Sequence, residues 1–579
     1  MAVSRRRFLG GAAAAGAAAT VAPQLGFEQA AQAAVQSAVA GDLPLEVIAL
    51  NRMGYGPRPG DIAAFQQLGT TPDERLAAYV DQQLNPDDGA DTLCQQKLST
   101  VKLRISYTNT DSTQFTEDRA LVNITKPLAD LWQVRTQTQN AERNRPADET
   151  RAATWLRAVY SKWQLREVMV EFWHNHFNVN AYADSRIAAT WPLYDALMRS
   201  NWNGNFRLFL EKVAQSIAMQ YYLNNVTNKS GGPNENYARE LFELHTLGSV
   251  NYFNSLYNRW SDVPGAKNSP AAPIGYIDQD IYEAARAFTG WTIADNAYDG
   301  NGGRLPNTGE FMTFSDWHDR FQKRVLATEF DPDQSALADG RRVLDLVAYH
   351  PGTARYICTK LCRRLVTDVP PPSLVDRAVE TWLANKTDPN QIGKTLRTII
   401  LSDEFKRTWG GKVKRPFEAL VSFIRITNLD FPPKGLFNTG LLSWATESTG
   451  YRLFSWPTPT GHPDEMSYWL GTNVMLRRWN MLNDMLGRGF WGLAAADPLP
   501  FALRAQIPAS AASVRQIVDF WIDRLLGRPV SDAMRETLVK FLAQNGNPDA
   551  APVGSDSDLT DRINYLVTLI CMTPEFHMR

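Results

Sequence analysis

Residues 169–180 read Met-Val-Glu-Phe-Trp-His-Asn-His-Phe-Asn-Val-Asn, one glutamate, two histidines and three asparagines among large aromatics. The chain of 579 residues has only 7 histidines, so two within three positions mark the stretch as a candidate site. On a helix each residue turns by about 100°, which places Glu171, His174, Asn175 and Asn178 on one face at i, i+3, i+4 and i+7. His176 falls instead beside Phe172, Trp173 and Val179. For it, a hydrogen-bonded core histidine is at least as good a reading as a ligand.

Helical periodicity extends outward from this stretch over most of the chain, and alternating strand patterns are scarce. Helices are expected at Pro44–Asn51, from Asp61 through Leu68, and from Pro72 to Leu84 with Thr71 as cap. Further helical patterns cover 114–140 with a break at Pro127, 150–178, 185–221, 235–247 and 278–290. Later ones cover 336–349, 351–367, 373–385, 391–402, 415–427, 465–490, 513–526, 531–544 and 558–572. Phe311–Phe314 with Arg324–Ala327 is the one expected hairpin. The expected fold is therefore mostly α, a multi-helix globular architecture with long loops and at most a small β-hairpin. We divide it into an N-terminal helical region 43–250, a central region 276–430 and a C-terminal region 431–579. Asn251–Gly275, rich in Gly, Pro and Asn, reads as a loop or insertion between the first two.

Lys+Arg 60 against Asp+Glu 61 leaves a formal charge of -1, and the only basic run is at the start, so no nucleic-acid partner is expected. That run, Ser4-Arg5-Arg6-Arg7-Phe8-Leu9, precedes an Ala/Gly stretch and then Ala31-Gln32-Ala33. The pattern reads as a twin-arginine export signal over 1–33, giving a secreted, periplasmic or envelope location. No later stretch supplies the ~20 apolar residues of a membrane span. Cys94, Cys358, Cys362 and Cys571 form no zinc spacing and suit a reduced core, with Cys358 and Cys362 one helical turn apart.

A second dense segment runs from Asn234 to Gly248. Asn236, Glu240 and Glu243 share a helical face, Glu235 and Arg239 form an i,i+4 pair, and His245 turns toward Ala238 and Leu241. If this helix faced the first, Glu171 and His174 would meet Glu240 and Glu243 in a cluster of three carboxylates and an imidazole. Such a cluster needs a cation or shared protons. With a single Glu-x-x-His in the chain, a di-iron centre is disfavoured. One divalent metal held by His174, Glu171, Glu240 and Glu243 is a candidate cofactor, and metal-free acid/base work by paired carboxylates is the alternative.

Asn175, Asn236 and Arg239 complete this candidate catalytic set. His318 and Asp319 either join it or form a turn with a local side-chain bond. His350 before Pro351 reads as a helix cap, and Lys360, Arg363 and Arg364 as a solvated face, with Lys360 able to neutralise a carboxylate. Trp291 and the Trp456 loop are stacking platforms for sugar rings or plain core. No serine-hydrolase elbow, phosphate loop or dinucleotide fingerprint is present.

Glu171-Phe172-Trp173-His174-Asn175-His176-Phe177, Asn234-Glu235-Asn236 with Ala238-Arg239-Glu240-Leu241, and Glu243-Leu244-His245-Thr246-Leu247-Gly248 carry a family resemblance. So do Ala285-Arg286-Ala287-Phe288-Thr289-Gly290-Trp291, His318-Asp319, His350-Pro351, Lys360-Leu361 and Leu526-Gly527-Arg528-Pro529. From about Leu43 onward the chain resembles the bacterial family filed as domain of unknown function 1800. The resemblance implies an exported protein and a co-exported sulfatase-like partner, but no reaction. The Asn251–Gly275 insertion departs from the family pattern.

The leading expectation is an exported hydrolase of an extracellular or envelope polymer such as a polysaccharide, or of a small-molecule substrate, using the Glu/His cluster with or without one metal. The alternatives are an exported metal-dependent oxidoreductase and a non-catalytic surface or assembly factor whose polar stripes only lock helices together.

Overall fold

The computed structural model describes residues 43–429, 446–486 and 502–579. The expected signal segment 1–33 lies outside these, as do 430–445 and 487–501 of the central and C-terminal regions.

The chain is mostly α-helical, and the described residues include three two-stranded antiparallel sheets. The second strand of the first sheet stands where a helix was expected over 114–140. Strand β1 (Lys102–Thr108) pairs with β2 (Gln114–Ala120) from Lys102↔Ala120 to Thr108↔Gln114. Leu103 and Ile105 are buried and alternate with exposed Lys102, Arg104 and Ser106, the two-residue period of a strand. Tyr107 stacks on Phe115 at 4.8 Å across the strands, and Arg104 pairs with Asp118 at 2.8 Å. These cross-strand pairs, invisible to a helical count, decide the local structure.

The expected hairpin also pairs differently. Strand β3 (Trp291–Asp295) takes β4 (Asn307–Thr313) as its partner, and β5 (Lys323–Val325) turns directly into β6 (Thr328–Phe330). Leu326 and Ala327 both have positive φ, 49° and 56°, which closes β5 and β6 by a two-residue turn.

Most helices lie where their periodicity places them. Thr71 and Glu74 form the capping box of Pro72–Leu84, and the helices at Gln391–Ile400 and Val514–Leu526 match within two residues. The expected helix 150–178 is two: α1 (Asn140–Tyr160) and α2 (Gln164–His176). The break is held by Ser161, whose hydroxyl accepts from the Trp163 amide at 3.1 Å and donates to Asp91 at 2.6 Å.

One hydrophobic cluster runs from Val47 to Phe576, so all three helical regions share a core. In it α2 is surrounded: every residue except Arg166 and Asn175 is buried. Around it stand α3 (Ser185–Asn201), α4 (Glu235–Glu240) with its continuation, α5 (Pro351–Leu365) and α6 (Pro416–Ile426). A helix buried all round cannot release a polar side chain to water, so each one must find a partner on whichever neighbour it meets. The four cysteines are buried and unpaired, as expected. Among the described residues no helix is long and apolar enough to cross a membrane.

Candidate functional site

The polar residues of α2 leave it in four directions. Glu171 points at the start of α6 and at Tyr451. Its carboxylate accepts from Arg415, from Asn175 Nδ2, and from the Tyr451 hydroxyl at 2.5 Å, with Arg364 at 3.5 Å. Arg415 and Arg364 also pair with Glu418, which burial alone would raise but which Arg364, Arg579 and Arg415 hold well below the usual carboxylate range. Glu171 is thus saturated by donors and acts as the counter-charge of an arginine cluster.

His174 turns the other way. Its Nε2 donates to Asp195 of α3 at 3.1 Å, while the ring lies against Trp191, Tyr194 and Phe454. Arg199 and Arg157 also hold Asp195, at 2.8 Å and 3.2 Å. Burial pushes the Asp195 carboxyl up, but these two arginines and His174 more than offset it.

Asn175 and Asn178 face the segment after Tyr451. Asn178 Nδ2 donates to the carbonyls of Thr458 and Trp456 at 2.6 Å and 3.3 Å. Asn175 Oδ1 accepts from His462 Nδ1 at 2.8 Å, because His462 Nε2 already accepts the Arg452 amide at 3.0 Å and so carries no proton. Burial, with Arg415 nearby, keeps His462 well below its ordinary pKa, and the neutral ring stacks face to face on Tyr451 at 4.0 Å. Gly461, at φ +69°, lies so close to α2 that a Cβ there would stand 2.1 Å from the Asn175 carbonyl oxygen. No other residue fits that position.

His176 leaves on the fourth side, stacked on Phe172, and lines a cavity of about 330 Å³. Its Nε2 donates to the His245 carbonyl at 3.1 Å, which fixes the tautomer and leaves Nδ1 to accept from Lys360 Nζ of α5 at 3.0 Å. Burial, then Lys360 and His245, holds His176 well below its ordinary pKa. Burial likewise lowers the Lys360 amine to about 8, with Asp464 opposing and Arg363 assisting. No carboxylate of the described residues pairs with Lys360. The same cavity is lined by Arg363, Arg364, Arg415, His462, Asp464 and Glu465; each arginine is paired with a carboxylate, Arg363 with Glu465 and the other two with Glu171 and Glu418, which leaves Lys360 as the lining cation without one. The Nε atoms of Arg364 and Arg415 are buried without an acceptor. The cavity therefore offers hydrogen-bond donors in excess, guanidinium groups and an unpaired lysine amine, beside few free acceptors.

Glu240 and Glu243 lie beyond its edge. α4 ends at Glu240, and Leu241–His245 winds as a π-helical turn, a widening that is frequent at functional sites. The turn re-aims the residues after it. His245 is wholly buried with neither ring nitrogen bonded, and burial followed by Lys360 lowers it to about 3. Burial and the neighbouring Glu243 raise the Glu240 carboxyl to about 7. The phenol of Tyr356, which lines the cavity, is pushed up to about 12 by burial first, Arg363 opposing and Glu243 adding. Tyr222, raised to about 12 by burial and Glu240, donates to the Pro457 carbonyl at 3.2 Å.

The expected cluster of Glu171, His174, Glu240 and Glu243 is therefore not assembled. Among the described residues no group of three His, Cys, Asp or Glu is placed to hold a metal ion. The reason is geometric: positions three apart on a helix differ by about 60° in direction, enough on an enclosed helix to reach different neighbours. Glu171 meets arginines, His174 meets Asp195, and the π turn rotates Glu243 relative to an α-helical count. Asn236 is exposed, its amide donating to the Asn234 cap at 3.0 Å. Arg239 forms the expected pair with Glu235 at 2.9 Å and also reaches Asp278 at 3.4 Å.

His318 and Asp319 build a separate buried network. His318 Nδ1 lies 2.9 Å from the Thr289 carbonyl and Nε2 3.3 Å from Asp339, while Asp319 takes both arms of Arg286 and Asp339 takes Lys323 at 2.8 Å. Neither His318 nor Asp319 lines the cavity. His350 is the helix cap expected of it, its Nδ1 accepting from the Gly352 amide at 2.9 Å.

Sequence reasoning missed Tyr451, Arg415 and His462, and it read Lys360 and Arg364 as solvated. The histidine count was the signal available for His462, since it follows the Trp456–Gly461 turn. Nothing local marks Arg415.

The chain belongs to the family described as Protein of unknown function (DUF1800), whose model matches residues 48–578. No curated protein and no solved structure matches it.

Proposed function

We propose that this member of the DUF1800 family is a hydrolase acting on an anionic substrate held in the cavity over His176. Arg363, Arg364 and Arg415 hold the anionic group; Lys360 gives its proton to the leaving group as water adds across the bond, and the neutral amine then takes up the proton that water releases. The neutral imidazole of His176 keeps the amine aimed by accepting one of its hydrogens. The observation that carries this reading is the 3.0 Å contact between Lys360 Nζ and His176 Nδ1 beside guanidinium groups with unused donors. An amine titrating near 8 is protonated at neutral pH yet releases its proton more readily than an exposed lysine. The twin-arginine signal expected over residues 1–33 supports a substrate outside the cytoplasm, an acidic polymer of the envelope or its surroundings.

Titration with phosphate, sulfate and acetate at pH 7, read by calorimetry, tests it. Wild type binds at least one of these and Lys360→Met loses that binding. Equal affinity in the variant, or no binding by wild type, would overturn the assignment.

A non-catalytic assembly factor is the second reading, favoured by the purely structural partners of Glu171 and His174. It expects anions to leave the protein unaffected and a co-exported protein to bind with Lys360→Met as well as with wild type.

A further inference from the structure

The segment that walls the cavity also carries two aromatic rings outside it. Trp456 is half-buried and Tyr468 is 49% exposed, and the rings stand 6.5 Å apart at 77°. Each is continuous with the cavity wall. Trp456 packs on His462 at 4.6 Å, and the Tyr468 amide donates to the carbonyl of Glu465 at 3.3 Å. Both rings are braced. Trp456 Nε1 donates to Thr458 Oγ1 at 3.0 Å, that hydroxyl meets Thr460 Oγ1 at 2.8 Å, and Tyr468 lies edge-on against Trp469 at 4.8 Å. Asn178 and Gly461 fix the loop itself, so the rings hold their positions without a ligand.

We infer that the cavity and these rings together form a subsite for an acidic glycan, a hexuronate unit entering the cavity while an adjoining sugar lies on the Trp456 ring with Tyr468 standing at its side. The inference rests on the anionic-substrate reading above. A fixed, partly exposed indole beside a phenol offers the flat apolar faces that the C–H side of a sugar ring covers. The cavity edge adds the Thr460 hydroxyl and the carboxylates of Asp464 and Glu465 to the cations. Donors and acceptors mixed in this way suit a polyhydroxylated ring bearing one carboxylate. At about 330 Å³ the cavity is near the lower end of ligand pockets, about 300–1,000 Å³, so one sugar unit enters and its neighbour stays outside.

Calorimetry with trigalacturonate, maltotriose and phosphate tests the inference on the full chain. Wild type is expected to bind trigalacturonate more tightly than phosphate and maltotriose least. Trp456→Ala should weaken trigalacturonate by about tenfold while leaving phosphate unchanged, and Tyr468→Ala, at an exposed position, should show a smaller loss in the same direction. Phosphate binding without trigalacturonate binding, or variants that leave trigalacturonate untouched, overturns the glycan subsite and leaves the anionic cavity standing. Failure to bind any of the anions overturns both.

Discussion

Arg415 donates to the carboxylate of Glu171 from 244 residues further along the chain, joining the start of α6 to the middle of α2. Both side chains are 3% exposed, and Arg364 stands within 3.5 Å of the same oxygen. Glu171→Gln keeps the shape but removes one of the carboxylates that face two buried guanidinium groups, leaving Glu418 to both. A loss of about 3–5 kcal/mol is expected, read as a lower urea midpoint. A midpoint equal to wild type would show that the pair is dispensable.

His174→Ala removes one of the donors on Asp195 and leaves a void among Trp191, Tyr194 and Phe454. Arg199 and Arg157 remain on the carboxylate, so the cost is that of a lost ring and one hydrogen bond, about 2–4 kcal/mol. Anion affinity should be unchanged when measured well below the unfolding temperature. Loss of affinity at full stability would return His174 to the site.

The sequence and the fold agree most closely where the determining contacts are local. The Thr71 capping box, the Glu235–Arg239 pair and the His350 cap involve residues two to four apart, and each is present. Periodicity also grouped Glu171, Asn175 and Asn178 correctly, since all three turn toward the segment 451–462. It could not say what waits on that side. The partners Arg415, Tyr451 and Lys360 come from distant sequence, and β1 and β2 are decided by each other rather than by either alone. His176, set apart from its neighbours by the same count, is both a packed core histidine and the inner wall of the cavity.

The Glu240 carboxyl is raised from 4.5 to about 7, burial being the larger cause and Glu243 the second. The folded state thus favours the protonated form, and the stability this brings is complete below pH 4.5 and lost as pH rises through about 7. Glu240→Gln should match wild type in Tm near pH 4.5 and exceed it at pH 8. A constant difference across that range would contradict the raised carboxyl.

Lys414 has the opposite sign. Its ammonium is buried against Ser422 at 3.0 Å and the Phe576 ring, and burial lowers it from 10.5 to about 7, Cys571 opposing and Arg579 assisting. The fold favours the neutral amine, so the stability is present above pH 10.5 and falls away as pH drops through about 7. Lys414→Met removes the charge that must be buried in acid. Its Tm relative to wild type should rise on going from pH 9 to pH 6, and a relative Tm independent of pH would refute the buried amine.

At Gly461 the segment 456–462 meets α2 main chain against main chain, with no room for even one carbon atom between them. Side chains can swing aside when a guest arrives; peptide groups packed this closely cannot. The wall on this side is consequently fixed, and the anion binding proposed above is expected to follow a single kinetic phase, its rate scaling with concentration and weakening with added salt.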